Sequence, residues 1–231
     1  LFFVIYNSSY SNVLTSSINI TIVGNATPII TTPIISPVTA YTNDTLSCSF
    51  LVFDWDTENI TANVTWYVNN IVNQTEQLNC TERQTCYTNN NITSSSTTKL
   101  NNWTCSINAD DNISLSGWKN STMLTVSNKA PDAPVLNSPE NERYIASNSS
   151  LLNWTVTDID DDAMTCYVYA QNITDPSNIV NVTSGVTNGS YYLYNWTNLN
   201  DAVYYWKVRC DDASENSSFL ETRSFTIDTT V

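Results

Sequence analysis

The residues of this chain that are best suited to chemistry are four pairs of closely spaced aspartates. They are Asp54 with Asp56, Asp110 with Asp111, Asp158 with Asp160, and Asp211 with Asp212. Clustered carboxylates repel one another and favour a hard cation with oxygen ligands, and calcium suits them better than magnesium because no phosphate ligand is in view. Paired carboxylates could also serve a glycosidase, which is the catalytic alternative. The structural alternative is that Asp is simply a common turn residue. The pattern therefore predicts calcium as the one candidate cofactor apart from covalent N-glycans.

The chain has six cysteines and no histidine. Without histidine it lacks the commonest general base and the commonest zinc ligand, and no pair of cysteines has the spacing of a zinc site. The cysteines are therefore expected to form disulfides, which indicates an oxidising compartment. They are Cys48, Cys80, Cys86, Cys105, Cys166 and Cys210. Six cysteines allow fifteen pairings, and their number alone does not choose among them.

Acceptor motifs for N-glycosylation, Asn-x-Ser/Thr, are unusually frequent. They occur at Asn7, Asn19, Asn25, Asn43, Asn59, Asn63, Asn73, Asn79, Asn91, Asn102, Asn112, Asn120, Asn148, Asn153, Asn172, Asn181, Asn188, Asn195 and Asn216. Chance predicts about 8 matches for this content of Asn, Ser and Thr, well below the number found. The excess predicts a glycoprotein of the cell surface or the extracellular space.

The spacing of the motif suits a β-strand. In Asn63-Val64-Thr65-Trp66 the Asn and Thr share one face, while Val64 and Trp66 share the other. The acceptors are thus expected to face solvent while the apolar residues face a core. Asn25, close to Pro28, and Asn79, in Asn-Cys-Thr, are the weakest of the acceptors.

Charge and hydropathy exclude two classes of partner. The net charge of −14 repels phosphate backbones, so we expect no binding to nucleic acid. The longest apolar run, Leu1 to Tyr6, is far shorter than the roughly twenty residues that span a bilayer. No signal peptide is visible, so we expect a mature chain or a fragment without a membrane span.

Two segments of the chain repeat. Leu46 to Asp56 is similar to Ser150 to Asp160, and Asn102 to Asn112 is similar to Val203 to Ala213. A Pro-bearing linker precedes each repeat, with Pro28 in the first and Pro131 in the second. Short alternating runs between turn residues indicate an all-β fold. The predicted domains are 28–128 and 129–231, preceded by a segment 1–27.

The chain resembles the immunoglobulin-like and fibronectin type III-like repeats of microbial, especially archaeal, surface proteins. In the first repeat, Cys48, Trp66 and Cys105 resemble the Cys of strand B, the Trp of strand C and the Cys of strand F. In the second, Trp154 and Tyr204 to Val208 resemble strands B and F of a fibronectin type III domain. The resemblance implies tandem β-sandwiches and says little about function.

The resemblance also implies how the cysteines pair. The implied bridges are Cys48–Cys105 between the two sheets, Cys166–Cys210 across strands C and F of one sheet, and Cys80–Cys86. The last pair flanks a five-residue loop, and we expect it to restrain a hairpin locally. In the same fold, the loops after strands B and F meet at one end. The aspartates of each repeat are therefore expected to converge where the preceding linker enters.

The N-terminal segment has two interpretations. Leu1 to Val23 aligns without gaps on the end of the first repeat, and this alignment predicts that it is the last hairpin of a preceding repeat. Alternatively, Leu1 to Tyr6 is a strand donated to a neighbouring subunit. A lone hairpin is marginal in water, so both interpretations require a partner sheet.

Two functions remain, and neither is enzymatic, since loops this short offer little room for a sugar-sized cleft. The first is a structural subunit of a glycosylated extracellular filament, stalk or surface layer, with copies of itself as partners. The second is an adhesin or receptor ectodomain. The aromatic runs Tyr191 to Trp196 and Tyr204 to Trp206 would suit carbohydrate binding, although strand alternation places half of them in the core. Dense glycosylation favours the structural subunit, because it leaves little bare surface for recognition.

Overall fold

The computed structural model describes residues 24–56 and 59–230. The predicted hairpin or donated strand within 1–27 lies almost wholly outside the described residues. The described part is built of strands, with one short 3-10 turn at Ser94–Ser96. No helix in it is long and apolar enough to cross a membrane. The prediction of an all-β fold is confirmed.

Ten strands form a first sandwich. They are β1 (Ile29–Ile30), β2 (Ile34–Ser36), β3 (Ala40–Tyr41), β4 (Ser47–Phe53), β5 (Asn59–Val68), β6 (Ile71–Thr81), β7 (Thr85–Tyr87), β8 (Asn102–Asp110), β9 (Lys119–Asn120) and β10 (Leu124–Ser127). In one sheet β4 is central, flanked by β1 and β2 on one side and by β7 on the other. The other sheet has the order β3-β10-β8-β5-β6, with β9 also paired to β8.

Eight strands form a second sandwich with the same plan. They are β11 (Val135–Ser138), β12 (Arg143–Ile145), β13 (Ser149–Thr155), β14 (Met164–Gln171), β15 (Ile179–Val186), β16 (Tyr191–Thr197), β17 (Ala202–Asp211) and β18 (Arg223–Ile227). The sheets have the orders β11-β13-β16 and β12-β18-β17-β14-β15. In both sandwiches the N-terminal segment contributes strands to both sheets. β3 and β12 are its last parts, and they pair in parallel with β10 and β18.

Each sandwich has its own core, made by the inward-facing alternate residues of its strands. In β4 every second residue is buried, and in β8 the inward positions begin at Trp103 and include Cys105. Trp66 and Trp103 are fully buried and meet edge to face, with ring centroids 6.2 Å apart. Trp154 and Trp206 are buried to the same extent in the second core, and the two cores share no residue.

The three disulfides have the predicted pairing. Cys48–Cys105 joins β4 to β8, and therefore joins the two sheets of the first sandwich. Cys166 and Cys210 lie directly opposite each other on β14 and β17.

The third bridge has a different setting from the expected one. Cys80 lies on β6 and Cys86 on β7, and these strands belong to different sheets. The expected local hairpin is therefore wrong. The five residues between the cysteines carry the chain from the edge of one sheet to the edge of the other, because β7 pairs with β4 and not with β6.

Candidate functional site: two acidic clusters and the glycosylation acceptors

The buried aspartates extend the inward register of two strands in each sandwich. Cys48, Phe50 and Val52 face the core from β4, and Asp54 continues this series of alternate residues just past the strand end. Asp111 likewise continues the inward series of β8. Because side chains alternate between faces, a residue with this parity points into the sandwich even where the strand has ended. Asp54 and Asp111 are accordingly 1% and 4% exposed.

The second sandwich repeats this placement. Leu152, Trp154 and Val156 are buried, and Asp158 follows them at the next alternate position. Asp212 follows Cys210 from β17 in the same way. Both aspartates are buried, although neither lies within a strand.

The carboxylates form two clusters. Asp54, Asp56 and Asp111 make the first acidic cluster, in which one oxygen of each lies within 4.8 Å of the others. Asp158, Asp162 and Asp212 make the second acidic cluster by the same measure. The loops after strands B and F converge at one end of each sandwich, as expected. The aspartates that form the clusters are not all the predicted ones.

Three of the predicted ligands lie outside the clusters. Asp110 and Asp211 are the last residues of β8 and β17, at positions whose side chains face outward. Each accepts a hydrogen bond from the backbone amide two residues later in the chain. Asp160 binds the preceding linker instead, as described below. Asp162 takes the third place in the second cluster and was missed. The parity of each aspartate relative to the buried strand residues is the sequence signal that separates inward from outward carboxylates.

Backbone amides hold the aspartates in the same way in both clusters. Asp111 Oδ1 accepts from the amides of Ile113 and Ser114 at 2.7 and 2.6 Å. Asp212 Oδ1 accepts from Ser214 and Glu215, both at 2.7 Å. These bonds fix the orientation of both carboxylates.

The linkers reach into the clusters by matched contacts. Asn25 Nδ2 donates to Asp111 Oδ2 at 2.8 Å, and Asn128 Nδ2 donates to Asp212 Oδ2 at 2.8 Å. The amide of Ala26 donates to Asp56 Oδ2 at 2.8 Å. At the second sandwich the amide of Lys129 donates to Asp160 Oδ2 at 2.7 Å. Each cluster therefore ties the incoming linker to the loop end of its sandwich.

Burial and hydrogen bonding move the pKa values of these groups in opposite directions. Burial raises the pKa of Asp54, and its neighbours Asp56 and Asp111 add to the rise by charge repulsion. Burial also raises the pKa of Asp158. For Asp111, burial acts in the same sense, but hydrogen bonds from Ser114, Ile113 and Asn25 outweigh it and lower the pKa to about 2.

Asp212 follows the same balance. Burial opposes ionisation, while the Asn128 side chain and the amides of Glu215 and Ser214 lower the pKa below its ordinary value. Each cluster thus combines one buried anion that hydrogen-bond donors stabilise with one buried carboxyl group whose charge is poorly compensated. Such an arrangement favours a cation.

Lys99 of the first sandwich contacts the second acidic cluster. Its ammonium forms an ion pair with Asp162 and lies 3.5 Å from Asn128 Oδ1. The hydrogen bond to Asp162 raises the pKa of Lys99, and the charges of Asp160 and Asp158 contribute. Among the described residues no Lys or Arg forms an ion pair with Asp54 or Asp111.

The glycosylation acceptors lie at the surface wherever the structure describes them. None of those in 24–56 and 59–230 is buried, and most are exposed. The half-buried acceptors are Asn63, Asn102, Asn153 and Asn181. Asn7 and Asn19 lie outside the described residues.

The predicted aromatic face of β16 divides as alternation requires. Tyr192, Tyr194 and Trp196 pack against the second core, while Tyr191 and Leu193 point outward and are 74% and 59% exposed. The outward side chains lie on the sheet face that also carries acceptor residues.

Comparison with known proteins assigns no family. No family model matches the chain, and no curated protein matches it. The PKD domain of an M14-like peptidase from a Thermoplasmatales archaeon is 16% identical over 44% of this chain and 98% of its own, with a TM-score of 0.36. The FN1–FN3 domains of chicken CNTN1 are 9% identical over 85% of this chain and 65% of their own, also at 0.36. Red sea bream transglutaminase is 6% identical over 85% of this chain and 31% of its own, at 0.34. This chain spans less than two thirds of the last two, and similarity at this level assigns no activity, ligand or partner.

Proposed function

We propose that this protein is a non-catalytic structural element of a glycosylated extracellular filament, stalk or surface layer, built from tandem sandwiches. The observation that carries the proposal is the distribution of the acceptor residues. They stand on strands and loops of both sandwiches, and none of those described is buried. A surface covered with sugars on all sides leaves little bare protein for recognising a specific partner.

The outer face of the sheet β11-β13-β16 supports this assignment in detail. Asn195 lies opposite Leu151 on the neighbouring strand, and Asn153 lies opposite Leu193. Leu151 and Leu193 are 48% and 59% exposed. Residues directly opposite on antiparallel strands have Cβ atoms about 5 Å apart. A glycan on either Asn therefore starts beside an exposed leucine and can cover it.

Asn25 is poorly placed to carry a sugar. Its Nδ2, the atom to which a glycan attaches, lies 2.8 Å from Asp111 Oδ2 and 2.7 Å from Ser114 Oγ. Asn128 makes the matching contact at the second junction, and its own sequence, Asn-Lys-Ala, is not an acceptor. The equivalent roles indicate that Asn25 serves the junction rather than glycosylation.

An adhesin or receptor ectodomain is the second candidate. The exposed Tyr191 and Leu193 are the observation in its favour, since apolar patches of this kind mark binding surfaces. The acceptors Asn153 and Asn195 on the same face favour coverage by glycans instead. Removing the glycans separates the two, because an adhesin would keep binding its partner without them.

Electron microscopy of native material, combined with its intact mass before and after deglycosylation, tests the proposal. Long uniform filaments or a regular layer, with a mass loss equal to many glycans, are expected. Short monodisperse rods, or a mass unchanged by deglycosylation, would contradict it. Copies of this chain are the expected neighbours in the assembly.

A further inference from the structure

We infer that the two acidic clusters are calcium sites of unequal strength, and that Lys99 weakens the second. This inference concerns the junctions between sandwiches and does not depend on glycosylation. It begins with the three carboxylates of each cluster, whose nearest oxygens lie within 4.8 Å of one another. Three carboxylates this close disfavour one another's charged forms, and a counter-charge nearby relieves the repulsion.

A second observation points to a ligand in each cluster. Asp54 Oδ2 and Asp158 Oδ2 are buried and accept no hydrogen bond, and both side chains are 1% exposed. Asp160 Oδ1 beside the second cluster is also buried without a partner. Buried polar atoms of folded proteins are nearly always satisfied, and a charged oxygen without a donor is especially unfavourable. A bound cation would supply the missing partner in both sandwiches at the same position.

The donor set identifies the class of cation. All the grouped side chains are carboxylates, which are hard oxygen ligands, and the chain has no histidine. Magnesium requires a near-ideal octahedron, whereas calcium accepts irregular sets of oxygen ligands from loops. The aspartates come from two loops and lie beside a linker, which suits calcium better.

The two sites differ in the charge that surrounds them. Lys99 brings an ammonium from the first sandwich to Asp162 in the second cluster. No described Lys or Arg pairs with Asp54 or Asp111 in the first cluster. The ammonium already neutralises part of the second cluster and repels a divalent cation. We therefore place the stronger calcium site at Asp54, Asp56 and Asp111.

Calorimetric titration of the full chain with CaCl2, after removal of metal by a chelator, tests the inference. Two binding events are expected below about 10 mM, since extracellular calcium modules have dissociation constants of roughly 0.1–1 mM. Asp54→Asn should abolish the stronger event and Asp158→Asn the weaker one. Glu140→Gln, which removes the same charge from an exposed side chain outside the clusters, should keep both.

Lys99→Met provides the sharper test. Loss of a positive charge beside the second cluster should tighten the weaker event by about tenfold or more and leave the stronger one unchanged. Circular dichroism checks that each variant is folded, and Asp56→Asn, at an exposed position, replaces Asp54→Asn if the latter does not fold. An absence of binding up to that concentration, equal affinity for MgCl2, or an unchanged weaker event in Lys99→Met would overturn the inference.

Discussion

Asn128 donates a 2.8 Å hydrogen bond to Asp212, a residue 84 positions further along the chain. Asn25 donates a bond of the same length to Asp111, across 86 positions. These two contacts show that each linker belongs to the loop end of the sandwich it precedes. A linker tied in this way is restrained against the sandwich that follows it.

The first prediction concerns this contact. Asn128→Ala should lower the free energy of unfolding of the second sandwich by about 2 kcal/mol, because it removes a donor from the buried, ionised Asp212. Urea unfolding followed by tryptophan fluorescence measures the change. Asn178→Ala, at an exposed position with no described side-chain hydrogen bond, is the control and should leave stability unchanged. Equal effects of the two substitutions would show that the contact contributes nothing.

The second prediction concerns the disulfides. In the chain-entropy picture, the bridges with sequence separations of 57 and 44 each stabilise by about 4 kcal/mol, and the bridge with a separation of 6 by about 2 kcal/mol. Paired Cys→Ala substitutions, one pair at a time, should reproduce this order in urea unfolding. A loss at Cys80 and Cys86 as large as that at Cys48 and Cys105 would contradict it.

The third prediction concerns the first core. Trp66→Ala should destabilise the first sandwich by about 3–5 kcal/mol, because Trp66 is fully buried against Trp103 and its removal leaves a cavity. Trp118→Ala is the matched control, since Trp118 is 54% exposed and its loss should change stability by less than about 0.5 kcal/mol. Thermal melting of the two variants separates these outcomes, and similar shifts would refute the assignment of Trp66 to the core.

Strand alternation explains why the fold was predictable from the sequence. Cys48, Phe50 and Val52 occupy alternate positions, and so do Leu152, Trp154 and Val156, so the strands and their inward faces follow from a period of two. The disulfide pairing followed from the resemblance of the two aligned repeats to immunoglobulin-like and fibronectin type III-like domains. These features are local or repeated, and a single sequence carries both kinds of information.

The exact residues of the two acidic clusters were harder to predict from the sequence. Asp110 and Asp111 are adjacent, and only the parity of the strand before them tells which one turns inward. Asp162 lies in the loop between β13 and β14, where that parity no longer determines the direction of a side chain. Lys99 approaches the cluster from another sandwich, through a contact that no local pattern encodes.

The fourth prediction concerns the glycan-bearing face of the second sandwich. Replacing Asn153 and Asn195 together by Gln should increase aggregation and dye binding to exposed apolar surface, because Leu151 and Leu193 lose their cover. Replacing Asn148 and Asn216 by Gln removes as many acceptors elsewhere and should have little effect. Light scattering of the glycosylated variants measures the difference, and equal aggregation of the two pairs would refute the covering role.

Glycopeptide mass spectrometry of the protein recovered from the cells that make it tests the central claim most directly. We expect sugars on most of the acceptors, including the half-buried Asn153 and the exposed Asn195, and an unmodified Asn25, whose amide nitrogen is held by Asp111 and Ser114. Unmodified Asn153 and Asn195 in a chain without glycans elsewhere would contradict the assignment of this protein as a glycosylated extracellular structural element.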